Sequence, residues 1–103
     1  MKTDIQPETQ AALQQKLARA PSDPGVYLMK DPGGAVIYVG KARNLKKRLA
    51  AYFNRGAQPD PKTGVLVSRI ASFETIVTRT EKEALILESN LIKRHRPRYN
   101  VVL

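Results

Sequence analysis

The 103-residue chain is long enough for one small core, and an apolar content of 42% suits a globular domain without covalent staples. It has no cysteine, which excludes a disulfide framework and thiolate metal ligation, so any metal must be held by oxygen or nitrogen. Eighteen Lys and Arg against nine Asp and Glu leave a formal charge of +9, and a polyanion is the natural partner for such a surface.

The opening MKTDIQPETQ has no apolar h-region, and no run approaches the roughly 18 apolar residues of a membrane span, so neither export nor membrane insertion is expected and the cytoplasm is the expected compartment. Residues 8–19 (ETQAALQQKLAR) read as a helix with Leu13 and Leu17 at i, i+4, stopped by Pro21 and Pro24 and expected to lie at the periphery. GVYLMK (25–30) and AVIYVG (35–40) are β-rich runs joined by Asp31, Pro32, Gly33 and Gly34, a hairpin signal. If Lys30 closes the loop against Ala35, Tyr27 falls opposite Tyr38.

Asn44 can cap a helix running through Phe53, with Leu45, Leu49 and Tyr52 inward, Lys46 and Lys47 outward, and Arg48 between those faces beside Tyr52. Asp60 and Pro61 supply a cap and first position for a helix to about Ser72, which Gly64 weakens. Residues 73–79 (FETIVTR) have strand composition, and Thr80 with Glu83 forms a capping box that opens a last helix. The resulting order, helix, strand, strand, helix, helix, strand, helix, fits a single α+β domain over residues 1–103 with a small, mainly antiparallel three-stranded sheet flanked by helices.

That last helix runs into EALILESNLIKRHRPRYN and carries an anomaly at Glu88. At about 100° per residue, Leu85 and Ile92 lie to one side of it and Ala84 and Leu91 to the other, whereas Asn90 projects from the opposite face. An unpaired carboxylate buried in an apolar stripe is costly and needs a cation, a metal or a proton. Helix geometry leaves Arg48 and a metal ion both open as its partner.

The basic residues gather in Lys41–Arg48 (KARNLKKR) and Lys93–Arg98 (KRHRPR), which favours phosphate backbone as the partner over a uniformly solubilised surface. No Ser, His and Asp set and no Cys nucleophile is present to support acyl transfer. The only histidine, His95, shares the stripe of Glu88 near a helix end, where packing or a phosphate contact is commoner than ligation. GGAVIYVGKA is not a phosphate loop, because Ala35 replaces its first glycine and Ala42 its hydroxyl residue. Tyr27, Tyr38, Lys41, Arg48 and Glu88 are types suited to phosphodiester hydrolysis: an acidic metal ligand, cations for the phosphorane and a group to handle a water proton. One carboxylate, completed by waters and a substrate phosphate, suffices for a single Mg²⁺ or Mn²⁺. The bland reading of Tyr27 and Tyr38 is a structural cross-strand pair, and that of Arg48 a salt bridge to Glu88.

GVY at 25–27 and YVG at 38–40, continued by KARNLKKR, resemble the GIY-YIG nuclease family, and ESNLIKRHRPRYN is similar to its UvrC branch. The resemblance covers about residues 15–103, with valine replacing isoleucine in both triplets and both tyrosines and glycines in place. It implies the GIY-YIG fold and a metal-dependent endonuclease that hydrolyses one DNA phosphodiester on the 3′ side of a lesion in nucleotide excision repair. It also implies damaged double-stranded DNA as substrate and UvrB as loading partner; a monomer is expected. The apolar ending Val101, Val102 and Leu103 is read as that of a domain excised from a longer chain.

By the same resemblance, Glu88 matches the metal-binding glutamate and Arg48 the arginine on the scissile phosphate. Tyr27 and Tyr38 match the signature tyrosines, one of which orients or deprotonates the attacking water with Lys41 favouring the phenolate; which of the two is the base stays open. Tyr52 and Asn100 match further active-site positions, Asn100 in a supporting role, and Lys46, Lys47, Lys93, Arg94, Arg96 and Arg98 are expected DNA-backbone contacts. A free-standing GIY-YIG structure-specific nuclease and a non-catalytic basic module that stacks nucleobases on its tyrosines are the competing readings.

Overall fold

The computed structural model describes residues 7–53 and 61–102. In chain order they form α1 (Pro7–Ala18), β1 (Gly25–Lys30), β2 (Val36–Ala42), α2 (Leu45–Phe53), α3 (Pro61–Arg69), β3 (Ser72–Val77), α4 (Glu81–His95) and α5 (Arg98–Val102). The strands make one antiparallel sheet in the order β2-β1-β3, the α+β architecture expected. Central β1 is buried along GVYLM because helices cover both of its faces, and its alternation divides the core in two. Tyr27 and Met29 point to α1, α2, α3 and α5, meeting Leu13, Leu17, Leu45, Leu49, Phe53, Leu66, Phe73 and Tyr99. Val26 and Leu28 point the other way with Val39, against Ala84 and the partly buried Leu87, Leu91 and Ile92 of α4.

Three expectations change. The first helix is not peripheral: Leu13 and Leu17 are both buried in the larger core, and α1 lies against α2 and β3. The Lys46 ammonium donates to the Ala18 carbonyl at 3.1 Å, and the Leu45 and Lys46 amides donate to Asp23 and Pro21, tying the start of α2 to the end of α1. A fifth helix, α5, absent from the expected order, follows α4. Arg96 leaves α4 in the left-handed region (φ 46°), its amide donates to the Ile92 carbonyl at 2.8 Å, and buried Pro97 starts a turn into α5.

The hairpin register also differs. The Asp31 amide donates to the Ala35 carbonyl, and Oδ1 of Asp31 accepts from the Gly33 and Ala35 amides at 3.0 Å each, so Asp31 and not Lys30 closes the loop on Ala35. Lys30 then faces Val36, Met29 faces Tyr38, and Ile37 is the extra residue of a β-bulge. Tyr27 therefore faces Gly40 instead of Tyr38. The two phenols still share a face, set diagonally with ring centroids 6.2 Å apart.

Both triplet glycines are explained by close approach. A Cβ on Gly25 would meet the backbone carbonyl of Ile76 on β3, and one on Gly40 would overlap the Tyr27 phenol. The helix starts are built as anticipated: Asn44 Oδ1 accepts from the Lys47 amide at 2.9 Å, and Thr80 Oγ1 from the Glu83 amide at 3.1 Å. Glu83 reaches back one residue beyond the usual box, to the Arg79 amide at 2.8 Å. Helix α3 ends at Arg69, β2 runs to Ala42, and Asp60 lies outside the described residues.

Candidate active site

The candidate residues converge on edge strand β2. Tyr27 is 1% exposed, and its hydroxyl shares a 3.0 Å hydrogen bond with that of Tyr52 from α2. Arg48 stands one turn before Tyr52 with its guanidinium 5.8 Å from the Tyr52 ring centroid, and it interacts with the Tyr27 hydroxyl. Three phenols thus surround one guanidinium. That neighbourhood raises the Arg48 pKa, chiefly through Tyr27. Burial first, then Tyr52, pushes the Tyr27 phenol far above its ordinary range, with Arg48 opposing.

Tyr38 is only partly buried, and burial with Tyr52 beside it pushes its pKa up to about 12. Glu88 is close enough to raise that pKa further, while Arg48 lowers it. Alternation places Tyr38 on the Tyr27 face of the sheet and Lys41, paired with Val26, on the α4 face. The site therefore wraps around the outer edge of β2. Asn100 closes that edge: its Oδ1 accepts from the Val39 amide at 2.8 Å and its Nδ2 donates to the Val39 carbonyl at 2.9 Å.

Glu88 is partly exposed, which corrects the view of a carboxylate buried within an apolar stripe. The seated face of α4 is Ala84, Leu87, Leu91 and Ile92; Leu85, expected to anchor the helix, is 51% exposed. Glu88 makes no hydrogen bond or ion pair among the described residues, so the anticipated competitor, a salt bridge to Arg48, is not formed. No three His, Cys, Asp or Glu side chains converge among the described residues. An ion held by Glu88 would complete its shell with waters and phosphate oxygens, as hard divalent cations readily do. A partly exposed carboxylate, without a partner among the described residues and within electrostatic reach of Tyr38, fits that role.

Lys41, Lys46, Lys47, Lys93, Arg94, His95, Arg96 and Arg98 are all exposed. Lys46 spends its ammonium on Ala18, and Arg98 lies 5.7 Å from the centroid of the adjacent Tyr99 ring. Arg43 and Glu81 were not among the expected site residues. They form an ion pair (Nε to Oε2, 3.0 Å) and line a cavity of about 420 Å³ with Lys41, Ala42, Arg48 and Ala84. Only the position of Arg43 inside KARNLKKR hinted at this.

This sheet order, with GVY on the central strand and YVG on the edge strand, defines a GIY-YIG domain. The UvrC-like GIY-YIG domain family matches residues 23–101, and the chain belongs to it. Among curated relatives it is 67% identical over 84 residues to UvrABC system protein C of Desulforapulum autotrophicum and 59% identical over 91 residues to that of Desulfatibacillum aliphaticivorans. These alignments cover 82% and 88% of this chain but only 14% and 15% of those proteins, so it spans about one seventh of their length. The magnesium-bound GIY-YIG N-terminal endonuclease domain of UvrC from Thermotoga maritima superposes with a TM-score of 0.74 at 39% identity, covering 92% of this chain and 98% of that one. A point mutant of the same domain, bound to its catalytic divalent cation, gives the same TM-score at 38% identity.

Proposed function

We propose that the chain is a divalent-metal-dependent DNA endonuclease domain, and that within a longer UvrC-type protein it makes the incision on the 3′ side of a lesion. Glu88 carries this reading: a carboxylate without a partner among the described residues and within electrostatic reach of Tyr38. Mg²⁺ or Mn²⁺ on Glu88 would supply charge neutralisation at the phosphate and acidify a water. The other roles belong to the chain's own side chains. Arg48, raised in pKa and fixed by Tyr27 and Tyr52, offers a permanent planar donor to the scissile phosphate. Lys41 adds a second cation from the end of β2.

Of the two signature tyrosines, Tyr38 is the one that handles the water proton. Tyr27 is sealed in the core with its hydroxyl engaged by Tyr52, so it positions Arg48. Tyr38 is partly exposed and within electrostatic reach of Glu88. Asn100 holds the β2 backbone one residue beyond Tyr38 and acts by support alone. Lys47, Lys93, Arg94, Arg96 and Arg98 track the duplex backbone, Lys46 less so because it caps α1.

The substrate is damaged double-stranded DNA delivered by UvrB, and the domain acts as a monomer in the cytoplasm. Among the described residues no helix is long and apolar enough to cross a membrane. The test is nicking of a lesion-containing duplex with Mg²⁺ or Mn²⁺, with and without UvrB. Wild type should nick and Glu88→Ala should not, with duplex affinity and its salt dependence retained. Equal nicking by Glu88→Ala would remove Glu88 from the metal. Full activity without UvrB, indifferent to the lesion, would point to a free-standing structure-specific nuclease.

A further inference from the structure

Lys41 and Arg48, the cations proposed for the scissile phosphate, line a cavity that extends to Arg43 and Glu81. Three cations, Lys41, Arg43 and Arg48, face a space of about 420 Å³ in which Glu81 is the only carboxylate on the wall among the described residues. That carboxylate already engages Arg43, and it does so through Nε, leaving the two terminal nitrogens of the guanidinium fork without a partner among the described residues. The pair is fully in water, with the Arg43 side chain 84% exposed and that of Glu81 61%, the setting in which ion pairs contribute least. A phosphate met by the guanidinium fork makes the stronger, charge-assisted bond.

We propose that Arg43, with Lys41 shared between the two sites, forms a second phosphate subsite for the backbone phosphate next to the scissile one, and that Glu81 is a built-in competitor which occupies Arg43 until nucleic acid arrives. Glu81 and Glu88 lie seven positions apart on one flank of α4. In the free protein Arg43 pairs with the first, and no described residue pairs with the second. When Arg43 moves to the incoming phosphate, Glu81 is left in solvent, where it repels a strand that drifts along the helix and so favours a single register over Glu88. The device therefore sets where the strand lies as well as how tightly it is held. It rests on the reading of the chain as a DNA-binding nuclease domain.

Duplex binding in EDTA, followed by fluorescence anisotropy from 50 to 200 mM KCl, tests the subsite without requiring catalysis. Arg43→Gln should weaken binding about threefold and reduce the magnitude of the salt slope by about one, the signature of one lost phosphate contact. Glu81→Gln should tighten binding by releasing Arg43, and this gain should vanish in the Arg43→Gln, Glu81→Gln double variant. If Glu81→Gln gives the same gain with Arg43 absent, the carboxylate acts only through net charge and the competitor is overturned. If Arg43→Gln leaves the slope unchanged, the subsite is overturned while the nuclease reading stands. A wild type with no salt-dependent DNA binding would overturn both. In the nicking assay, a neutral methylphosphonate at the phosphate adjacent to the cut should slow wild type but not slow Arg43→Gln further, and equal slowing of both would also overturn the subsite.

Discussion

The phenol of Tyr27 lies directly across Gly40, filling the space that any Cβ at that position would need. The two residues face each other across the β1–β2 ladder, one from each triplet, so the second triplet's glycine exists to admit the first triplet's tyrosine. Gly40→Ala should destabilise the fold by about 3 kcal/mol, at the upper end of overpacking costs, because a fully buried ring cannot move aside. Urea denaturation measures this, and loss of nicking should accompany loss of stability.

Asn100 satisfies both backbone groups of Val39. Asn100→Ala leaves an amide and a carbonyl half-buried and without those bonds, at a cost of about 1 to 3 kcal/mol. Asn100→Asp keeps the acceptor for the amide but turns a carboxylate toward the carbonyl, so it should be no better than alanine. Thermal melts of the three proteins rank them, and a residual nicking rate that follows the folded fraction would identify the role as support.

With its pKa raised to about 12 by burial and by Tyr52, Tyr38 is a neutral phenol at pH 7. A base whose active form is the minor phenolate makes the rate rise with pH, about tenfold per unit between pH 7 and 9, without a plateau in that range. Tyr38→Phe should abolish nicking at every pH. Tyr27→Phe should keep the pH slope and lower the rate, because that phenol holds Arg48 and carries no water proton. A flat wild-type profile would exclude Tyr38 as base.

Arg96 is the one non-glycine residue of positive φ among the described residues, and its exposed side chain does not need that backbone. Arg96→Gly should stabilise the fold by roughly 0.5 to 1 kcal/mol, the left-handed penalty less the entropy that glycine adds to the unfolded chain. The same change removes a cation, and duplex affinity should fall about threefold. A rise in melting temperature together with a shallower salt slope is the combined signature.

Much of this molecule is legible in its sequence for local reasons. The caps at Asn44 and Thr80, the three strands and the inward face of α2 depend on residues within a few positions of one another. The hairpin register is not so read, because it turns on whether the Asp31 side chain draws Ala35 into the loop and expels Ile37 as a bulge. Helix α5 has five residues, too few for a periodic pattern, and two leucines could not reveal that α1 seals a core. Glu88 is not buried in the way its helical position implies. It is partly exposed, because α4 packs over β2 and β1 while its outer flank, Leu85 included, is open to solvent. The pairing of Arg43 with Glu81 joins residues far apart in sequence and follows only once β2 and α4 are packed.

The amide of Asn100 has a consequence beyond its own domain. An edge strand with free N–H and C=O groups is a template on which a second chain can add itself, and β2 is an edge strand that carries candidate-site residues. By pairing both groups of Val39 with one side chain, the fold denies that template to a neighbouring copy midway along the strand. A strand added at Val39 would first have to displace the Asn100 side chain.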